Sequence, residues 1–119
     1  MTRRLEQAYH RTVIAHLKAR GMPNLFWFHC PSGAFFGGKR QGAIMKSLGW
    51  MAGLPDLFAI HNGRVFAIEL KSETGRVSDA QLECLDRLRQ AGAIVAIATG
   101  IDEALRKLEH FGLLRGRST

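Results

Sequence analysis

No apolar run in this sequence approaches the roughly 20 residues that a helix needs to cross a bilayer. The opening residues, Met-Thr-Arg-Arg-Leu-Glu-Gln, pass directly into a polar helical pattern instead of the apolar stretch of a secretion signal. The expected location is therefore the cytoplasm, in a bacterial or phage-encoded setting, with no membrane partner. Cysteine is scarce: Cys30 and Cys84 stand far apart, outside any Cys-x-x-Cys or Cys/His spacing, which removes zinc-finger chemistry and leaves two buried, inert thiols. Acidic residues are also few, 10 against 17 Lys and Arg, for a formal net charge of +7. Such a surplus suits a polyanionic partner such as nucleic acid, although the sum alone does not say where the charges cluster. There is no internal repeat, linker or low-complexity segment, and the chain of 119 residues, 46% hydrophobic, reads as one packed domain over residues 1–119.

Along the chain, Leu5, Tyr9, Val13 and Leu17 recur every four positions, so residues 3–20 read as an amphipathic helix stopped by Gly21 and Pro23. Asn24 to His29 is a short aromatic strand, and a helix is expected from about Gln41 to Leu48, closed by Gly49. Residues 53–72 form two apolar strands around Asn62-Gly63. Ser78 and Gln81 make a capping box with Val77 stapled on Leu82, opening a helix to about Gln90 whose inner side carries Leu82, Leu85 and Leu88. Ala93 to Ala98 is apolar throughout, the pattern of a strand covered on both faces. A helix from Asp102 to His110 and a basic tail, Leu113 to Arg117, complete the chain. This order predicts an α/β fold: a mixed central sheet flanked by helices, with the helix after Lys71 crossing over to a parallel strand.

The hairpin carries the chemistry. Asn-Gly is the strongest short hairpin signal, since both central residues of a type I′ turn need positive φ. Centring the turn there pairs His61 with Arg64, Ile60 with Val65, Phe58 with Ala67 and Asp56 with Glu69. Opposed residues project from one face with Cβ atoms about 5 Å apart, and Lys71, two residues beyond Glu69, joins that face. Two carboxylates so placed repel, and burial makes the conflict worse. A divalent cation with oxygen ligands resolves it, and Mg²⁺ suits a pair of carboxylates better than Zn²⁺ does. Lys71 would neutralise charge, orient a water or contact a phosphate. The alternative is that Asp56 merely begins a strand and Glu69 pairs with Lys71 at the far end.

Pro55-Asp56, twelve intervening residues, then Glu69-Leu70-Lys71 resembles the PD-(D/E)xK nuclease signature, and the sequence is most similar to the VRR-NUC branch. Glu6-Gln7, the approach Lys46 to Leu54 before Pro55, Gly75-Arg76-Val-Ser78 and Gln81 agree with it, so that the likeness covers nearly the whole chain. The resemblance implies a restriction-endonuclease-like core in which Asp56, Glu69 and the main-chain carbonyl of Leu70 bind Mg²⁺, with Mn²⁺ able to substitute. It further implies that Lys71 positions the water, that Glu6 reaches the metal through water, and that Gln81 contacts the site. For Glu6 an ordinary surface acid, and for Gln81 the capping box, remain as alternatives.

Other residues admit competing readings. Gly33 to Lys39 begins like a P-loop, but Arg40 stands where Ser or Thr must bind Mg²⁺ and two phenylalanines crowd the loop, so no nucleotide cofactor is expected. Lys39, Arg40, Lys46 and Arg76 are instead candidates for phosphate contacts with nucleic acid. Phe35, Phe36 and Trp50 suit the core or a dimer interface, or else stacking on bases. His29 and His61 are candidate acid/base groups, His61 facing solvent beside the turn. The expected function is a Mg²⁺-dependent DNA endonuclease. The resemblance implies branched DNA, such as a four-way (Holliday) junction, as substrate, and a homodimer fits because paired cuts need two active sites. The alternatives are a non-catalytic DNA-binding module on the same fold, or a nuclease for RNA or linear duplex.

Overall fold

A computed structural model describes residues 3–30 and 38–116. Eight elements follow one another: α1 (Arg3–Arg20), β1 (Phe26–His29), α2 (Lys39–Ser47), β2 (Leu57–His61), β3 (Arg64–Lys71), α3 (Asp79–Gln90), β4 (Ile94–Thr99) and α4 (Ile101–His110). The four strands form one sheet in the order β1-β2-β3-β4, with β1–β2 and β2–β3 antiparallel and β3–β4 parallel. The fold is thus α/β with a mixed sheet and a helical crossover between its parallel strands.

The hairpin has the register that its turn dictates. Asn62 and Gly63 both take positive φ, 52° and 78°, and His61 pairs with Arg64, Ile60 with Val65 and Phe58 with Ala67. Alternation along the strands then sorts the side chains. Leu57 and Ala59 of β2, Phe66, Ile68 and Leu70 of β3, and Ala98 of β4 form one core with Tyr9, Val13 and Leu17 of α1 and Ala104, Leu105 and Leu108 of α4. Ala67 and Glu69 lie on the opposite face, under α3. Burying these aliphatic side chains, at about 1.5–3 kcal/mol each, supplies most of the driving force for the fold.

Two expectations are corrected. The inner side of α3 carries Gln81, Cys84, Leu85 and Leu88, while Leu82 is 49% exposed; the helix is turned so that Gln81 faces the sheet. β4 is an edge strand, so its first four residues are only half-buried despite being apolar. The basic tail begins inside the fold: Leu113 and Leu114 are buried, and Leu114 bridges to Gly21. The amides of Met22 and Arg115 bond the carbonyls of Leu113 and Arg20 at 3.0 and 2.8 Å, closing the end of the chain onto the end of α1.

Beyond α3, the outer part of the sheet face that bears Glu69 is open. Phe26, Phe28, Ile60 and Val65 are exposed there, with Phe28 stacked on Phe58 at 5.2 Å. α2 buries none of its residues. Phe35 and Phe36 lie outside the described residues. Among the described residues, no helix is long and apolar enough to cross a membrane.

Candidate active site

The end of the β2–β3 hairpin brings acids from two strands to one place. Asp56 is 8% exposed and Glu69 only 2%. The Leu70 amide donates to Asp56 Oδ2 at 2.9 Å, so the aspartate side chain occupies a place that a neighbouring strand would fill and is held in line with the sheet. Asp56 is near enough to act on the Glu69 carboxyl. Burial first, then the hydrogen bond and charge of Asp56, push the Glu69 carboxyl up to about 9, against the pull of Lys71. Among the described residues, Glu69 Oε2 is buried with no donor facing it. A buried acceptor in that condition costs on the order of 1–3 kcal/mol unless a proton or a cation reaches it.

The other Glu69 oxygen is occupied. Gln81 Nε2 donates to Oε1 at 3.2 Å, and Lys71 Nζ lies 3.9 Å from the same atom, with the lysine side chain still 19% exposed. Gln81 serves both readings considered from the sequence. Its Oε1 accepts from the Ser78 amide at 2.8 Å and its own amide donates to Ser78 Oγ, completing the capping box, while its Nε2 reaches across to Glu69. The box locks the rotamer that presents the amide to the acid.

Gly53 fixes the approach to Asp56. With φ of 80°, it packs so closely on the first turn of α3 that an added Cβ would meet Ala80 O at 2.5 Å and Gln81 N at 2.8 Å. The Gly-x-Pro-Asp stretch and the Ser-x-x-Gln stretch are thereby two halves of one contact.

Glu6 is exposed in the first turn of α1, close enough for its charge to add to the upward push on Glu69. Tyr9, one turn later, donates to the carbonyls of Ala98 and Gly100 at 3.1 Å. Burial, then the charges of Asp56 and Glu103, raise its phenol, so it acts as a neutral pin between α1 and the sheet. The Leu70 side chain points into the core on the far face from Glu69.

Lys39, Arg40, Lys46 and Arg76 are all exposed, the first three on α2 and Arg76 in the loop before α3. Lys46 also lines a cavity of about 260 Å³ with Trp50, Met51 and Arg87. His61 is near the surface, 3.2 Å from the Pro23 carbonyl. Both cysteines are buried, free thiols whose pKa values burial raises, which leaves little thiolate at neutral pH. The periodicity of α1 did not single out His10, which sits 9% exposed with Nδ1 3.0 Å from His29 Nε2. Its signal was there in its spacing from Tyr9, Val13 and Leu17, which places it at the margin of the apolar stripe.

The VRR-NUC domain profile matches residues 6–102. No curated protein matches the chain in sequence. Among solved structures, one described as a VRR_NUC domain protein superposes with a TM-score of 0.73 at 23% identity, covering 89% of this chain and 86% of that one. A second, described as a VRR_NUC domain, gives 0.60 at 18% identity, covering 89% and 96%. With its profile spanning Glu6 to Asp102, its mixed sheet and its helices in the same arrangement, the chain belongs to the VRR-NUC domain family and has a nuclease-type fold.

Proposed function

We propose that this protein is a metal-dependent endodeoxyribonuclease that hydrolyses phosphodiester bonds in DNA. The observation that carries the reading is Glu69, a buried acid beside a second acid, with one oxygen lacking a donor partner among the described residues. A hard divalent cation answers that arrangement, and the oxygen-rich donor set of Asp56, Glu69 and the Leu70 carbonyl fits Mg²⁺, with Mn²⁺ as a substitute. Glu6 would add an outer contact through water. When bound, the ion supplies acidity to a water and offsets charge on the scissile phosphate.

The side chains divide the remaining work. Asp56, tied by the Leu70 amide, gives the ion a fixed anchor. Gln81 holds Glu69 through Oε1, which leaves Oε2 for the ion. Lys71, partly exposed and beside Glu69, orients the attacking water and stabilises the negative charge that builds on the phosphate oxygens. Tyr9 keeps α1 seated over the strand ends. Lys39, Arg40, Lys46 and Arg76 grip the backbone on either side of the cut.

Within this reading, branched DNA such as a four-way junction is the substrate, and a homodimer supplies the two active sites that paired cuts require. The open apolar row of Phe26, Phe28, Ile60 and Val65 supports such pairing. The test is incubation of the protein with branched and linear DNAs, and with RNA, in Mg²⁺ or in chelator. Cleavage of branched DNA only with the ion, lost in Glu69→Ala while DNA affinity persists, is the expected result. Equal cleavage by the variant, or binding with no cleavage under any condition, overturns it.

A further inference from the structure

The geometry points to a second metal site, made of His10, His29 and Asp56, that takes a transition-metal ion such as Zn²⁺ in preference to Mg²⁺. One ligand atom from each of these residues lies within 4.8 Å of the others. The imidazole pair is tighter still, with His10 Nδ1 3.0 Å from His29 Nε2. Two nitrogens bound to one ion at about 2.1 Å stand about 3.0–3.4 Å apart, so the pair already has the spacing of neighbouring ligands. The rings meet edge to face at 71° with their centroids 5.1 Å apart, so they are not stacked.

His10 is more than nine-tenths buried, yet its Nε2 has no hydrogen-bond partner among the described residues. Two neutral imidazoles in mutual contact satisfy only one donor and one acceptor, so the arrangement leaves His10 short of a partner. An ion between the rings would use the two facing lone pairs, on His10 Nδ1 and His29 Nε2, and leave the His10 proton on Nε2.

The residue types decide which ion. Two imidazoles and one carboxylate favour Zn²⁺, Cu²⁺ or Ni²⁺, whereas Mg²⁺ prefers oxygen and gives up its waters reluctantly. Asp56 belongs to both clusters: it acts on Glu69 and lies within 4.8 Å of the ligand atoms of the two histidines of α1 and β1. The histidine cluster therefore stands or falls independently of whether the protein cuts DNA, because its ligands are identified by metal binding alone.

The experiment is isothermal titration of the metal-free protein with Zn²⁺, without nucleic acid, together with zinc-edge X-ray absorption on the loaded wild-type protein. The expected result is one tight equivalent whose affinity falls more than about tenfold in His29→Gln, remains in Glu69→Gln, and is unaffected by His110→Gln at the surface. Absorption should show two imidazole ligands. Because His10 is buried, His29→Gln carries the mutational arm, with circular dichroism confirming its fold. Equal binding by His29→Gln, absence of a tight equivalent, or fewer than two imidazoles on the ion each overturns the inference.

Discussion

At the scale of single residues, Glu69 is the group on which metal binding and stability both depend. Its carboxyl titrates near 9 in the folded chain because burial and Asp56 oppose its charge, whereas in the unfolded chain it titrates near its ordinary 4.5. The folded state therefore holds a proton that the unfolded state has released, so metal-free stability falls as pH rises from about 4.5 towards about 9 and then levels off. Thermal melts of the chelated protein between pH 5 and 8 should show that decline. Glu69→Gln, which keeps the Gln81 contact and removes the charge, should flatten it and raise the midpoint by several degrees at pH 8. Saturating Mg²⁺ should raise the midpoint of the wild type at pH 8 and leave the variant unmoved. Lys71→Ala belongs to the same scale: it removes charge stabilisation without removing a proposed ligand, so Mg²⁺ binding should persist while turnover drops by about 10² to 10³, read from single-turnover cleavage.

Elements position these residues, and here the sequence was informative to different depths. Asn62-Gly63 takes the positive φ that a two-residue turn needs, and the register centred on it, which a three-residue loop would have broken, is the one formed, so the approach of Asp56, Glu69 and Lys71 was legible from the turn. The capping box was legible too, because Ser78 and Gln81 carry its chemistry in their side chains. The rotation of α3 was not: three leucines outweighed one glutamine in the pattern, but Gln81 pairs with Glu69 and so turns Leu82 outward. The Gly53 contact was equally hidden, since φ and the approach of a distant helix leave no local trace beyond the glycine itself. Gly53→Ala should cost about 3 kcal/mol or more, combining positive φ with a collision against rigid backbone, and denaturant melts would measure it. Ser78→Ala should cost about 1 kcal/mol and, by releasing the Gln81 rotamer, slow cleavage more than that loss of stability explains.

The whole molecule adds charge and surface. A formal net charge of +7, with Lys39, Arg40 and Lys46 displayed on a helix that buries nothing, predicts DNA binding that weakens steeply with salt. Each phosphate contact contributes about −0.9 to the slope of log K against log salt. Lys46→Ala should therefore reduce that slope by about one and weaken binding to all sequences alike, measured by fluorescence anisotropy. The exposed apolar row on β1, β2 and β3 bears on assembly: Phe26→Asp should yield a monomer in light scattering and abolish paired cuts while sparing single nicks.

The most direct measurement is anomalous diffraction from a crystal equilibrated with Mn²⁺. Density for an ion within about 2.2 Å of carboxylate oxygens from both Asp56 and Glu69 is the predicted result. An ion bound by only one of these two acids, or none between them while Mn²⁺ is ordered elsewhere in the crystal, would contradict the account.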